Sequence, residues 1–554
     1  MSVIETAKAW RAQDPDGETR AELDILISDA EAGNADALAS LHSRFDERLA
    51  FGTAGLRGAI AAGSNRMNRV LVSQAAAGLA AFLLARETGP SVVIGYDGRK
   101  NSRVFATDTA ELMAGAGVRT ILLPRLLPTP VLAFAVRHFK VSAGVMVTAS
   151  HNPPNDNGYK VYLGGDNKGS QIVSPVDSAI AEHILRVASE QNVLALPRST
   201  AYETAGDEVV DEYVRRTVNL RKRSSADLKF VYTAMHGVGS EIAHRVFADA
   251  GFGAPIVVEE QDKPDPTFPT VAFPNPEEPG AMDLSIAKAS EVQADLIIAN
   301  DPDADRLAVA VPTVAGGWRR LSGNEIGLLL GWRAAERLLF DGLDGTLAAS
   351  IVSSPALRKI ALTYNLDYAD TLTGFKWVSR VGGLAYGYEE ALGYLVDPEK
   401  VRDKDGISAA LDFLGLMSEL KSAGRTLDDH LAAFAEKFGA YSSSQIAVRV
   451  TDLSEITRVM SALRSNPPEM IGSITVTRME DFRDGFGQFP PSDILRMWLA
   501  DGARVIVRPS GTEPKLKVYI DASSTEGTAA ERLATADATV AELDRGMRHL
   551  IAAP

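Results

Sequence analysis

The apolar positions of this chain change period from segment to segment, and those changes set out most of its elements. Spacing of three and four predicts helices over Val70 to Arg86, Asn101 to Gly117 and Thr129 to Phe139. Between them, Ser91 to Tyr96 and Arg119 to Leu123 are short β-type runs, and Val145 to Val147 reads as a strand end. Such alternation implies α/β layers, with strands covered by helices. Ahead of it, the first 50 residues read as helical and charged, a surface layer more than a core. They lead into FGTAGLRG, Phe51 to Gly58, whose glycines suit a turn that Cβ atoms would obstruct.

The pattern restarts twice. LKFVYTAMHG from Leu228 reads as strand then turn, Ser240 to Ala250 as helix, Ala254 to Val258 as strand, Ala281 to Ser290 as helix and Ala294 to Ala299 as strand. A strong helix then begins at Asn324, and its unit runs to about Phe438. The last stretch differs: Ile446 to Val450, Ile474 to Thr477, Ala503 to Val507 and Leu516 to Ile520 read as strands, and Ala529 to Ala553 mostly as helix. The expected domains are therefore 1–205, 206–322 and 323–440, all α/β, and 441–554, a smaller α+β domain. The length of 554 residues agrees, since single cores stop growing near about 250–300 residues.

Composition narrows the function classes. The net charge of −15 argues against a nucleic-acid partner, whose phosphates call for clustered Lys and Arg. With no cysteine in the chain, disulfides, thiolate chemistry and cysteine metal sites are excluded. MSVIETAKAWRAQDPDGE shows no basic segment leading into an apolar one, and the apolar stretch near Ala75 to Ala85 is about half a membrane span. The expectation is a cytoplasmic protein without a membrane partner, a monomer or homodimer.

Candidate chemistry sits where strands end. TASHNPPNDN, Thr148 to Asn157, follows a strand, and Pro153 holds Asn152 extended. Asn155, Asn157 and Gly158 suit turns and left-handed positions. This stiff loop would display Ser150 at the mouth of a sheet for attack on phosphorus or carriage of a phosphate, although an ordinary turn has similar composition. His151 adjoins the serine, and Lys160 lies ten residues on, behind the expected Asn157-Gly158 turn. DPDADR places Asp301, Asp303 and Asp305 alternately on a loop after a strand, a pattern that can converge on one hard cation such as Mg²⁺. It is no EF-hand, because the sixth position is Arg306 and the twelfth Pro312. Arg306 can offset charge there and grip a phosphate.

RPSGTE follows another strand. Arg508, the hydroxyls of Ser510 and Thr512, and the exposed backbone of Gly511 make a phosphate nest, with Lys515 and Lys517 close by. In GYEEALG, Glu389 and Glu390 could accept hydrogen bonds from sugar hydroxyls or sit at a helix N-terminus. Lys376, between Phe375 and Trp377, could lie over a ligand or snorkel. His236 could face a cleft, whereas the remaining histidines fall in helical stretches and read as structural. There is no GxxxxGK[ST] phosphate loop and no GxSxG elbow around Ser150.

TASHNPPNDNGYK, DPDADR, GYEEALG and RPSGTEPK, in this order, resemble the α-D-phosphohexomutase superfamily. With FGTAGLRG the likeness spans essentially the whole chain. FGTAGLRG, TLTGFKW and GYEEALGY look most like the phosphoglucomutase/phosphopentomutase branch, which also holds bacterial phosphomannomutases. The resemblance implies three similar α/β domains and a smaller fourth around a central cleft. It implies a phosphorylated Ser150, Mg²⁺ held by phospho-Ser150 with Asp301, Asp303 and Asp305, and Lys160 as general acid/base if its pKa is lowered enough. It places the cations Arg57 and Arg306 around the serine, with His151 beside it. It assigns sugar contacts to Glu389 and Glu390, a ligand contact to Lys376, and a distal phosphate site to Arg508, Ser510, Gly511, Thr512 and Lys517. Tyr388 replaces a smaller neighbour in the frequent GEES-type loop, which leaves sugar choice open. The implied reaction interconverts α-D-glucose 1-phosphate and 6-phosphate through glucose 1,6-bisphosphate, which also serves as activator. Mannose or pentose phosphates are alternative substrates, and a non-catalytic sugar-phosphate-binding protein is the alternative of another class. Asp303→Asn is expected to cost within ~0.5 kcal/mol of stability if the loop's partners are solvated.

Overall fold

The computed structural model describes residues 1–52, 55–220, 227–510 and 515–552. The chain forms two compact units. One comprises Met1–Ser322, Phe375–Arg380 and Leu392–Gly415; the other comprises Gly323–Gly374, Val381–Ala391 and the chain from Leu416 onward. The architecture is mixed α/β with several sheets, as the alternation of periods predicts.

In the first unit one sheet runs in the order Leu56–Ala59, Asp156–Leu163, Ala143–Val147, Ser91–Tyr96, Arg119–Leu122, Glu203–Thr204. Ser91–Tyr96 pairs in parallel with both of its neighbours, while Asp156–Leu163 and Leu56–Ala59 turn antiparallel at one side. The inner strands are apolar on both faces because helices cover them. Arg69–Arg86 is long and apolar enough to cross a membrane, yet its Leu71, Val72, Ala75, Leu79 and Leu83 lie in this sheet's core. A second sheet runs Trp318–Arg320, Ala308–Pro312, Leu296–Ala299, Phe230–Thr233, Ile256–Val257. Phe230–Thr233 and Leu296–Ala299 are parallel, so both strands deliver their C-terminal ends on the same edge.

Two expectations need correction. The N-terminal helices Val3–Gln13, Gly17–Glu31 and Ala35–Phe45 start at the capping side chains Ser2, Asp16 and Asn34. They are more than a surface layer: Ala7, Trp10, Leu23, Ile27 and Leu41 join Val70, Ala76 and Leu112 in a core of their own. The apolar stripe is narrow, and the charges around it mask it in the sequence. Second, Asn157 and Gly158 are not a turn but the start of strand Asp156–Leu163. Pairing of both residues with Leu56–Ala59, and the Thr148 N–H donating to the Gly158 carbonyl at 3.2 Å on the other side, override their turn preference.

In the second unit, Thr346–Ser350 pairs in parallel with Asp367–Thr371 and Leu384–Glu389. A six-stranded sheet follows, in the order Ala440–Arg449, Lys515–Ser524, Arg504–Pro509, Leu495–Leu499, Ile474–Asp481, Met470–Ile471, with antiparallel neighbours throughout. Helix Ala529–Ala552 closes its core through Val540, Leu543 and Met547.

One packing detail of this unit carries a pH dependence. The His430 ring stacks on Trp332, with centroids 4.5 Å apart and planes at 2°. Burial, then Arg425 and Arg333, push its imidazole down to about 4. An unfolded histidine takes up a proton near pH 6.5, so the neutral folded ring contributes stability above that pH, and this is lost as pH falls toward 4. Urea midpoints at pH 7 and pH 5 should show His430→Gln losing about 1 kcal/mol less than wild type, a figure discounted for the ring's partial exposure. Equal losses would show that the ring is protonated in the folded state.

Candidate active site

Three strands of the first unit bring the serine and two cations together. Leu56–Ala59 sets Arg57 opposite Gly158, and Asp156–Leu163 sets Lys160 opposite Met146, close to where the third strand ends and the serine loop begins. Gly55 makes this approach possible. It has a φ of +75°, and a Cβ there would fall 1.8 Å from the Tyr159 carbonyl oxygen. In the loop the left-handed residue is Ser150 itself, with a φ of +52°, where the sequence had suggested its asparagines. The Ser150 N–H donates to Thr148 Oγ1 at 2.9 Å, and its hydroxyl donates to Asp301 Oδ2 at 3.0 Å. The serine is only 2% exposed.

Asp301 opens a tight turn just beyond strand Leu296–Ala299. The Ala304 N–H donates to the Asp301 carbonyl at 2.8 Å, and Ala304 has a φ of +54°. This winding brings Asp301, Asp303 and Asp305 to one side, with a ligand atom from each within 4.8 Å of the others. All three are fully buried, so this is not a solvated acidic loop. Gly406 fits against the same turn: its N–H donates to the Ala304 carbonyl, and a Cβ would lie 2.2 Å from the Arg306 carbonyl oxygen.

Cations hold the triad. Lys160 Nζ lies 2.8 Å from Asp303 Oδ2 and 3.0 Å from Asp305 Oδ2. Lys404 Nζ lies 3.3 Å from the same Asp305 oxygen. Arg306 Nε stands 3.8 Å from Asp301 and 3.9 Å from Asp305. Burial, reinforced by Asp303 and Asp305, pushes the Asp301 carboxyl well above the ordinary carboxylate range. For Asp305, burial is outweighed by Lys160, Lys404 and Arg306, which hold it well below that range. Burial alone would depress the Lys160 ammonium, but Asp303 and Asp305 win and raise it. His151 is half-buried, and desolvation of its ring, with Arg306 and Arg57, pushes its imidazole well below the ordinary histidine range. Its Nδ1 has no partner, and its ring lies 6.0 Å from Phe273. Arg57 donates to Asn152 Oδ1 at 3.3 Å.

The triad suits a hard cation. Asp303 Oδ1 and Asp305 Oδ1 are buried and accept no hydrogen bond; Asp305 Oδ1 faces Arg306 Nε at 3.9 Å, beyond hydrogen-bond reach, so both atoms cost free energy that a closer cation would offset. Three carboxylates beside a serine oxygen make the all-oxygen donor set that Mg²⁺ takes.

The other expected site residues separate between the units. Lys376 lies on the short helix Phe375–Val378 in the first unit. His236 does not open to a ligand, because its Nε2 pairs with Thr270 Oγ1 at 2.8 Å and the residue is 3% exposed. In the second unit, Glu389 ends strand Leu384–Glu389 and accepts from the Gly374 N–H at 2.6 Å. Glu390 Oε2 accepts from Ser350 Oγ at 3.1 Å and Ser353 Oγ at 3.2 Å. Neither acid begins a helix, so their charge is not explained by a helix dipole. Arg508 and Lys517 are cross-strand partners, and Arg508 Nη1 donates to Tyr519 OH at 3.4 Å. The Ser510 N–H donates to the Lys515 carbonyl at 2.7 Å. Gly511 and Thr512 lie outside the described residues.

Two residues that reach the site went unnoticed in the sequence. Lys404 lies in RDKDG, where nothing local points to an aspartate about a hundred positions earlier. Arg99, in YDGRK, lies just past the β-type run Ser91 to Tyr96, in a segment whose local sequence resembles an ordinary turn.

Known proteins resemble this chain over most of its length. Models described as phosphoglucomutase/phosphomannomutase alpha/beta/alpha domains I, II and III match residues 48–191, 210–316 and 322–438, and the C-terminal domain of the same family matches 446–538. A probable phosphomannomutase of Haemophilus influenzae is 57% identical over 485 residues, covering 88% of this chain and 98% of its own. A phosphopentomutase of Mus musculus is 34% identical, covering 94% and 90%. A phosphoglucomutase of Staphylococcus aureus is 33% identical, covering 86% and 90%. Four domain models in chain order, with relatives alike over most of both lengths, place this chain in the phosphoglucomutase/phosphomannomutase family, within the α-D-phosphohexomutase superfamily of enzymes.

Proposed function

We propose that this enzyme interconverts a hexose 1-phosphate and its 6-phosphate, with α-D-glucose as the leading substrate, through a phosphorylated Ser150. The observation that carries the reading is a buried serine in a left-handed turn, its oxygen 3.0 Å from a converging triad of aspartates.

Phospho-Ser150 gives its phosphoryl group to the free sugar hydroxyl: the P–Oγ bond breaks, a new P–O bond forms, the hydroxyl loses its proton and the released Oγ gains one. The resulting bisphosphate turns round, and its other phosphate returns to Ser150. Mg²⁺, held by Asp301, Asp303, Asp305 and an oxygen of phospho-Ser150, would supply charge neutralisation at the transferring group. Arg306 and Arg57 add positive charge beside the serine. Asp303 and Asp305 hold Lys160 as an ammonium, so it starts as a proton donor. Once the charge on those carboxylates is offset, it can give its proton to the released Oγ and then, as the neutral amine, take up the hydroxyl proton. The second unit adds its own local chemistry: the Arg508–Lys517 pair and Ser510 suit a phosphate dianion, and Glu389 and Glu390 suit hydroxyls.

A phosphomannomutase reading is favoured by the Haemophilus influenzae relative. The deciding experiment is a coupled assay of the purified chain on glucose, mannose, glucosamine, ribose and deoxyribose 1-phosphates, each with its bisphosphate. Glucose is expected to lead in kcat/KM. A tenfold preference for mannose or a pentose, about 1.4 kcal/mol in the transition state, would overturn the substrate and leave the reaction class standing. Stabilisation by these ligands without product would overturn the reaction class itself.

A further inference from the structure

Arg99 lies beneath the serine loop and gathers its backbone. Nη2 donates to the carbonyls of Ser150 and Asn152, each at 2.6 Å. Nη1 donates to the carbonyls of Pro153 at 2.8 Å and Asp156 at 3.2 Å. One guanidinium therefore satisfies four acceptors spread over seven residues of the loop. The Phe268 ring covers it, with its centroid 4.9 Å from the guanidinium carbon, and the residue is 4% exposed. Asp97 stands 3.5 Å from Nε and is itself fixed by the Arg99 N–H at 3.0 Å and Ser102 Oγ at 2.6 Å.

This clamp has a reason in the backbone. A left-handed φ at a residue with a Cβ is disfavoured and persists only where the surroundings over-determine it. Ser150 is such a residue, and its own carbonyl is one of the four that Arg99 holds. The planar fork matters, because a lysine ammonium is a point charge on a flexible stem and cannot span four diverging acceptors in fixed directions. With its Nη donors all turned to the loop, Arg99 has little left to offer a substrate.

We propose that Arg99 is a positioning residue for phosphoryl transfer: its guanidinium fastens the four loop carbonyls and so keeps Ser150 in the turn that aims Oγ at Asp301. This rests on Ser150 being the phosphoryl carrier.

The test uses the full chain with Arg99→Lys, Arg99→Ala and Ser150→Ala, on glucose 1-phosphate with glucose 1,6-bisphosphate. Melting curves run alongside, and phosphate on Ser150 is followed by mass spectrometry after a bisphosphate pulse. Folded Arg99→Lys should lose about 100-fold in kcat with KM within about threefold, since a displaced nucleophile harms the reacting geometry and not the phosphate grip. Phosphate loading of Ser150 should slow in parallel, and guanidinium ion added to Arg99→Ala should restore part of the rate. If Arg99→Ala does not fold, Arg99→Lys alone decides. A kcat within twofold of wild type in Arg99→Lys, with Ser150→Ala inactive, overturns the inference and leaves the phosphoserine reading intact. Activity retained in Ser150→Ala overturns that reading, and the inference falls with it.

Discussion

Ser150→Ala should lower kcat by about 10⁴ to 10⁶ on glucose 1-phosphate, even with glucose 1,6-bisphosphate supplied, because no other oxygen occupies its place. Among the described residues the hydroxyl makes one hydrogen bond, to Asp301, so its removal should leave the melting temperature nearly unchanged while turnover collapses. Alanine keeps the Cβ and hence the left-handed strain, so the variant separates chemistry from loop geometry. KM for the sugar phosphate should move little, since the groups suited to its phosphate lie elsewhere in the chain. Mass spectrometry after incubation with the bisphosphate should show a phosphorylated wild-type chain and an unmodified variant. Turnover near the wild-type level would sink the phosphoserine mechanism outright.

The second large effect is expected at the aspartate triad. Asp303→Asn removes one anionic ligand, and apparent Mg²⁺ affinity should fall by about 100-fold or more, with kcat at limiting Mg²⁺ falling alongside. Mn²⁺ should substitute for Mg²⁺ in the wild type. The structure revises the accompanying stability change. A cost within ~0.5 kcal/mol assumes a solvated loop, whereas Asp303 is fully buried, 2.8 Å from Lys160 Nζ and 2.6 Å from Thr129 Oγ1. Losing one side of a buried pair is expensive, but Lys160 keeps Asp305, and removing a charge relieves repulsion within the triad. A net cost of about 1–2 kcal/mol follows. Metal titration by calorimetry, set beside a melting curve, separates the two effects. Unchanged activity under limiting Mg²⁺ would show that this loop is not the metal site.

Much of this was legible in the amino-acid sequence because it is set by short-range physics. The spacing of apolar residues marks Ser91–Tyr96 as a strand and Val70 to Arg86 as a helix, which the structure begins at Arg69, since each pattern must present its apolar positions to a core. Oxygen-rich clusters just after strand ends mark Ser150 and the three aspartates, because strand ends are where a sheet exposes loops; Arg508, expected just past a strand ending at Val507, lies instead inside strand Arg504–Pro509, paired with Lys517. The order of those motifs along the chain was enough to recognise the family. What only the tertiary structure decided depends on contacts between residues far apart in the chain. Ser150 meets Asp301 across 151 positions, and Lys160 meets Asp305 across 145. The expectation that Lys160 needs a lowered pKa met the opposite arrangement, two buried carboxylates that raise it. Asn157 and Gly158 became a strand because Leu56–Ala59, about a hundred positions earlier, claimed their backbone groups. Lys404 and Arg99 stayed invisible for the same reason. A charged side chain's role follows from what it is buried against, and local sequence carries no record of that.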